Sequence, residues 1–269
     1  PKVYLKLPSN GKWYPDGSLE FTESGEFPVY AMTARDEIMI KTPDALINGE
    51  ATTSVIESCI PNIKNAWHVP LIDLDAILLA IRIATYGETM TISVNTPVTG
   101  EEKDFEVNLQ HLLDDFYSKT YNDVVELPEM RVSIRPLSYK EFTETSLKTF
   151  EEQRLFAAVS NENLPESEKL NTFNKSFRKL TEITIFTLEK SIVSIDTDSE
   201  TVTNPNHIKE FVENADKNMF QTVTEHIETE RNKFSVQPLK VEATEEEVNQ
   251  GVPKTYEVPI SFDQANFFE

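Results

Sequence analysis

The sequence contains few of the residues from which nucleotide-binding sites are built. It has 7 glycines in 269 residues, and none of them lies between Gly100 and Gly251. Neither a G-x-x-x-x-G-K-S/T loop nor a G-x-G-x-x-G turn occurs, so the glycine backbone N–H groups that usually hold a phosphate are missing. We therefore expect no nucleotide and no other cofactor.

Metal-binding and nucleophilic side chains are also scarce. The single cysteine, Cys59, cannot form an internal disulfide and lies in the apolar run SVIESCIP, which indicates a buried thiol in a reducing compartment. The segment DTDSETV begins like a calcium-binding loop but lacks the glycine and the final glutamate. The 4 histidines never have the i,i+4 spacing of H-E-x-x-H; they are His68, His111, His207 and His226. We expect no bound metal.

Basic residues are few relative to acidic ones. The chain has 25 Lys and Arg against 46 Asp and Glu, which gives a net charge of -21 spread over both halves. Such a chain should repel nucleic-acid phosphates and anionic membranes, because binding them relies on Lys and Arg. Its longest apolar stretch, AILLAIRIA, is too short to span a bilayer, and the N-terminus has no apolar signal-peptide core. The sequence therefore predicts an intracellularly made, soluble protein that binds neither nucleic acid nor membrane.

Carboxylate pairs are too common in so acidic a chain to indicate an active site. Asp73 and Asp75, like Asp114 and Asp115, are expected to be solvated or to cap helices, and Asp73 stands where a helix should begin. We expect no catalytic residue and no small-molecule substrate. Of three interpretations of the function, an enzyme such as a hydrolase with dispersed acidic catalysts is the least favoured; the other two are given below.

The turn and hydrophobic patterns predict an α+β fold. Residues 1–30 carry turn signals between short apolar pieces, a pattern typical of short strands or an extended arm. Residues 31–137 are expected to form a compact mixed module. Its expected elements are a helix capped by Thr33 and Asp36, a helix opened by Pro43, the helix TTSVIESCI, an apolar helix from Asp73 to Gly87, and a β-hairpin of TMTISVN and KDFEVNL.

Residues 138–234 are expected to be a helical region. A capping box at Ser138 and Glu141 opens one long helix, and Pro165 opens a second of roughly 28 residues, so that the two form a projecting helical hairpin. The end of the second helix should re-enter the main core. The expected packing seam of that helix consists of Leu170, Phe173, Phe177 and Leu180, at alternating three- and four-residue spacing.

Residues 235–269 are expected to be an extended arm without a core of its own, because they contain several prolines and the charge cluster EATEEE. They end in ISFDQANFFE, where Asp263 could cap a short helix that presents Phe267 and Phe268 together. The aromatic residues either fold back onto their own body or dock into another subunit. We predict that removing residues 260–269 leaves the body folded but weakens assembly. The predicted partner-docking residues are Phe262, Asp263, Phe267 and Phe268.

Segments over most of the chain share their order with a known family. They are LKLPSNGKWYP, AMTARDEIMIKTPDALINGEATTSVIESCIPNI, VPLIDLDAILLAIRIATYG, NPNHIKEFVENADKNMF and ISFDQANFFE. In this order the chain resembles the baseplate hub subunit family of T4-like contractile-tailed bacteriophages. Relatives are expected to carry a Cys-Pro-x-Cys zinc knuckle in the hairpin turn, where this chain has Thr96, Pro97, Val98 and Thr99. A thiolate-bound zinc is therefore lost, and proline and local hydrogen bonds must hold the turn.

The resemblance implies a noncatalytic structural subunit of the phage baseplate or its central hub, acting through protein–protein interfaces in tail assembly. The implied partners are other baseplate and tail hub proteins. The implied locations are the host cytoplasm during assembly and the tail of the virion afterwards. The second interpretation is a transient assembly chaperone that is absent from the mature particle. A permanent subunit should have large apolar interfaces, whereas a departing chaperone should have smaller, wetter ones.

Overall fold

The computed structural model describes residues 1–42, 49–161, 163–260 and 268. The fold is α+β, as the sequence predicts, with long helices and small antiparallel sheets. The helices are α1 (Ala34–Ile40), α2 (Glu50–Cys59), α3 (Leu71–Tyr86), α4 (Leu109–Tyr117), α5 (Tyr139–Asn161), α6 (Glu166–Ser191), α7 (Pro205–Asn214), α8 (Lys217–Lys233) and α9 (Glu245–Asn249). The strands are β1 (Val3–Leu5), β2 (Phe27–Val29), β3 (Thr89–Asn95), β4 (Glu102–Asn108), β5 (Val124–Leu127), β6 (Met130–Ile134), β7 (Ile192–Thr197), β8 (Thr201–Val202), β9 (Leu239–Glu242) and β10 (Thr255–Val258).

Helix α3 lies at the centre of the main core. Its sequence is apolar on nearly every face, and such helices are normally buried all round. Ile77, Leu79 and Ile81 accordingly have 0% exposed surface. The helix begins directly after Pro70, two residues before the start that the sequence predicts. It ends at Gly87, whose φ of 98° is a conformation that favours glycine.

The N-terminal residues pack against this core. Strand β1 pairs antiparallel with β2, so that Leu5 lies opposite Phe27. Leu5, Leu7 and Phe27 are buried in the main core. The short strands that the sequence predicts are therefore present, and their apolar residues hold the segment against the body because those side chains lose their contact with water there.

Helices α1 and α2 also contribute buried side chains to the main core. The predicted capping box is confirmed: the Asp36 N–H donates to Thr33 Oγ1 (3.3 Å), and the Thr33 N–H donates to Asp36 Oδ2 (2.8 Å). Val55 and Cys59 of α2 are fully buried. The helix predicted at Pro43 lies outside the described residues.

The predicted β-hairpin of β3 and β4 is confirmed. The strands pair antiparallel from Thr89 opposite Asn108 to Asn95 opposite Glu102. Both strands alternate between exposed and inward-facing side chains, which are half-buried except for the buried Val107, as expected for a sheet with one face toward the body.

A second core lies between a four-stranded antiparallel sheet, in the order β5-β6-β7-β8, and the helices α7 and α8. Leu188 at the end of α6 and Ile192 at the start of β7 are buried in this second core. The prediction that this end of α6 re-enters the main core is therefore wrong. The physical reason is that β7 follows α6 directly and pairs with β6, which brings the apolar run to the sheet.

Residues 239–258 differ from the extended arm that the sequence predicts. Strand β9 pairs antiparallel with β10, and Val252, Tyr256 and Val258 are buried with side chains of the β3–β4 hairpin. Lys103 of β4 also forms an ion pair with Glu247 of α9. The segment therefore shares a small core with the hairpin, and the boundaries at residues 30, 137 and 234 stay predictions.

Candidate assembly interface

The helices α5 and α6 form a hairpin whose root is tied to strand β6. The predicted capping box at the start of α5 is present, because the Glu141 N–H donates to Ser138 Oγ (3.2 Å) and the Ser138 N–H donates to Glu141 Oε2 (2.9 Å). Arg135, directly after β6, donates hydrogen bonds of 3.0 and 2.7 Å to the two Glu141 carboxylate oxygens. This bidentate pair fixes the direction in which the hairpin leaves the body.

The contact between α5 and α6 buries only some of the large apolar side chains of the hairpin. The Phe156 ring of α5 lies 4.4 Å from the Phe173 ring and 5.8 Å from the Phe177 ring of α6, measured between centroids. Of the predicted seam, Phe173 and Leu180 are half-buried. Leu170 and Phe177, however, are 61% and 59% exposed. The predicted seam therefore packs against α5 only along one edge, and the side chains of Leu170 and Phe177 remain exposed to water.

The hairpin has two chemically different sides. One side, which we call the uncharged side, carries only apolar, hydroxyl and amide side chains at helical spacing. Its α5 members are Phe142, Ser146, Phe150, Gln153, Ala157 and Ser160, and its α6 members are Leu170, Asn174, Phe177, Thr181, Thr184 and Leu188. The opposite side, which we call the charged side, carries Lys148, Glu151, Lys179, Glu182 and Glu189.

A groove of about 530 Å³ lies where the uncharged side meets helix α8. Phe142, Phe150 and Leu188 line it from the hairpin, while α8 contributes Ile227 together with one charge of each sign, Glu228 and Arg231. The groove is thus uncharged along the hairpin, where hydroxyl and amide side chains lie between the apolar ones, and it is charged only at its α8 edge. Grooves of this kind can accept an apolar anchor from another chain.

A buried carboxylate in α3 fixes the N-terminal segment. Asp73 is 0% exposed and accepts hydrogen bonds from the Ser9 N–H (2.7 Å), Ser9 Oγ (2.5 Å) and Tyr14 Oη (3.0 Å). Burial raises the pKa of Asp73 to about 6, and the three hydrogen bonds oppose that rise. The prediction that Asp73 is solvated or caps a helix is wrong, because the helix begins earlier and the carboxylate faces the core. An acid within an otherwise apolar helix was the signal for this role.

The same helix contacts the C-terminal part of the chain. Asp75 Oδ2 accepts a hydrogen bond from the Val236 N–H (3.2 Å), and Tyr86 Oη lies 3.0 Å from the Phe268 carbonyl oxygen. Phe268 is 0% exposed and belongs to the main core. Of the four predicted docking residues, the structure thus places Phe268 against its own body. The other three, Phe262, Asp263 and Phe267, lie outside the described residues.

The turn of the β3–β4 hairpin is held by backbone hydrogen bonds. The Thr96 N–H donates to the Glu101 carbonyl (2.7 Å), and the Gly100 N–H donates to the Thr96 carbonyl (3.0 Å). Val98 lies at the tip with a φ of 71° and 73% exposure. Among the described residues, no group of three or more His, Cys, Asp or Glu side chains is arranged to hold a metal ion.

The Cys59 thiol is unsuited to nucleophilic chemistry. It is fully buried in α2, and burial, together with the charge of Asp36, raises its pKa to about 12. The thiolate is the reactive form, so this thiol stays protonated and inert at neutral pH. Its place in the core agrees with the sequence interpretation.

Within the described ranges, no helix combines the length and the apolar character needed to cross a membrane.

Comparison with known proteins identifies the family of this architecture. A family model described as T4 bacteriophage base plate protein matches residues 2–255, which is nearly the whole chain. Neither the comparison with curated proteins nor that with solved structures gives a match. The extent of the family match confirms the resemblance to T4-like baseplate proteins. The chain belongs to the T4 bacteriophage base plate protein family.

Proposed function

We propose that this chain is a noncatalytic structural subunit of a contractile-tail baseplate and lies in its central hub. Membership in the baseplate family supports a role in the baseplate. The exposed apolar side chains of the hairpin support a structural role. Phe150, Leu170 and Phe177 are 62%, 61% and 59% exposed on the uncharged side. Large apolar groups clustered on one surface of a folded chain are typical of protein–protein interfaces.

The acidic pair Asp73 and Asp75 and the Cys59 thiol have structural places in the body. Asp73 accepts three hydrogen bonds from the N-terminal segment, Asp75 accepts one from the backbone near the C-terminus, and the Cys59 thiol is protonated. These groups hold distant segments on α3 or fill the core. The proposed partners are therefore other baseplate and tail hub proteins, met in the host cytoplasm during assembly, and the proposed final location is the virion tail.

Disruption of the gene tests this role. We expect infected cells that lack the chain to accumulate baseplate precursors without complete tails, as seen by negative-stain electron microscopy. Supplying the wild-type chain from a plasmid should restore complete tails. Complete, contractile tails in its absence would rule out an essential structural subunit.

The composition of the uncharged side favours a second candidate, a transient assembly chaperone. Hydroxyl and amide side chains such as Ser146, Gln153 and Thr181 alternate with the aromatic residues. Such a mixed surface is typical of smaller and wetter interfaces that can separate again. The presence or absence of the chain in purified particles distinguishes the two candidates.

A further inference from the structure

Three arginines border the uncharged side of the hairpin. Arg154 follows Phe150 by one helical turn on α5, Arg178 is the neighbour of Phe177 on α6, and Arg231 lines the groove at the hairpin root. All three are exposed. Within the described part of the chain, none of the three guanidinium groups forms a hydrogen bond or an ion pair, whereas Arg131 and Arg135 both pair with glutamates.

The exposed Arg35 of α1 likewise forms no such bond with another described residue, so it is their position beside the apolar centre that distinguishes the three arginines. Arginine suits the recognition of carboxylates, because its planar fork can donate two parallel hydrogen bonds. The surface thus combines an apolar centre, around Phe150 and Phe177, with mainly cationic edges whose arginines pair with no other described residue.

We propose that the uncharged side binds an amphipathic helix from a different protein, with an apolar face against Phe150 and Phe177 and with Asp or Glu on its flanks against Arg154, Arg178 and Arg231. This inference rests on the proposed action through protein–protein interfaces and names the chemistry of one partner.

The shape of the surface favours a helix as the occupant. Two antiparallel helices leave a linear depression between them, and a third helix can lie in it at an interaxial distance of about 8–10 Å. The uncharged side runs from Leu170 to Leu188 along α6, or about 27 Å at 1.5 Å per residue. That length matches about five turns of helix, and the groove at the root widens the depression for a large anchor side chain.

The charges around the uncharged side indicate which residues flank the apolar face of the bound helix. A charged residue over the uncharged centre would lose its hydration without gaining a partner, so the centre of the bound face must be apolar. At the edges, the near charges are the three arginines together with Glu228 on the α8 edge, so positive charge predominates there. More distant charges are screened beyond about 8 Å at physiological ionic strength. Acidic flanks are therefore favoured.

A second copy of the chain fits this surface less well than a different protein. A two-fold contact centred on Phe150 and Phe177 would place the same patch of both copies together. Arg154 and Arg178 of one copy would then approach the same arginines of the other, and such like-charge contacts are destabilising.

The test uses the full-length chain and two synthetic peptides of 18 residues, a length of about five helical turns. Both peptides carry the same Leu, Phe and Ala face, and they differ only in having Glu or Lys at the flanking positions. We expect the Glu peptide to bind about tenfold more tightly than the Lys peptide in fluorescence anisotropy, since two or three exposed ion pairs supply a factor of this size. Phe177→Asp should abolish binding, and the double variant Arg154→Glu with Arg178→Glu should reverse the preference.

The control is Leu155→Asp. Leu155 is 43% exposed at helical spacing from Lys148 and Glu151 on the charged side, so this variant should bind both peptides as the wild type does. All these positions are exposed, and unchanged thermal midpoints will show that the variants are folded.

Three results would overturn the inference: equal affinity for the two peptides, preference for Lys, or no binding of either one. A dimer in light scattering that Phe177→Asp dissociates would also overturn it. If the chain is absent from particles but the Glu peptide binds, the proposed permanent role fails and this inference stands. If the chain is present in particles and neither peptide binds, only this inference fails.

Discussion

Asp73 links two segments of the chain that lie 64 residues apart, as its hydrogen bonds with Ser9 show. Removing a buried acceptor leaves its donors unsatisfied, which costs about 1–3 kcal/mol for each such group. The carboxylate itself is desolvated, which is why its pKa rises to about 6 from 3.8. The N-terminal segment is therefore held in place by a group whose charge depends on pH.

We predict that Asp73→Asn changes how stability depends on pH. Between about pH 4 and 6 the folded state binds a proton at Asp73 that the unfolded state does not bind. The contribution of this group to the free energy of unfolding is therefore largest near pH 4 and is lost as the pH rises through 6. The free energy of unfolding of the wild type should exceed that of the variant by more at pH 4 than at pH 7, by up to about 3 kcal/mol.

Urea unfolding of both proteins at several pH values measures this difference. Asp114→Asn is the matched control, because Asp114 is exposed on α4 and should show no comparable change. A constant difference between wild type and Asp73→Asn from pH 4 to 7 would contradict the role assigned to the buried carboxylate.

For the C-terminal aromatic segment, the structure changes the expected effect of truncation on stability. Ile260 and Phe268 are 8% and 0% exposed and belong to the main core. The sequence predicts that removing residues 260–269 leaves the body folded. With these two side chains buried, we now expect the truncation to lower the stability of the body as well.

We predict that Phe268→Ala lowers the free energy of unfolding by about 3–5 kcal/mol, the usual cost of removing a buried phenylalanine ring. Phe21→Ala should change it by less than about 0.5 kcal/mol, because Phe21 is 65% exposed. Chemical unfolding of the isolated chain is the appropriate measurement. An unaltered midpoint for Phe268→Ala would mean that the aromatic end is not held by its own body, and would favour docking into another subunit.

At the scale of elements, sequence patterns predicted those structures that depend on local signals. The capping boxes at Thr33 and Ser138, the β3–β4 hairpin, and the helix that follows Pro165 all rest on residues near one another in sequence. The predictions that failed depend on distant contacts. The placement of Leu188 in the second core, for example, depends on the pairing of β7 with β6, which helical periodicity does not encode.

The candidate interface was only partly predictable for the same reason. The alternating spacing of Leu170, Phe173, Phe177 and Leu180 predicted a packing seam, but not that Leu170 and Phe177 remain exposed. That outcome depends on how far α5 covers α6. The uncharged side is formed by residues of both helices, and the spacing within each helix does not show how the two pack together.

The whole molecule is a folded body that exposes large apolar side chains on the uncharged side of its helical hairpin. Helix α3 holds the N-terminal segment through Asp73 and the C-terminal part through Asp75 and Tyr86. The hairpin is fixed at its root by the Arg135–Glu141 pair. A body held together in this way can present the hairpin in a defined direction, as a permanent subunit of a large particle requires.

Mass spectrometry of purified virions tests whether the chain is a permanent subunit of the tail. Particles washed at high salt would be quantified with isotope-labelled peptides from this chain and from other baseplate proteins. We predict that the chain is present at a fixed ratio to those proteins in every preparation. Its absence from particles, while it remains abundant in lysates of the infected cells, would contradict the permanent structural role.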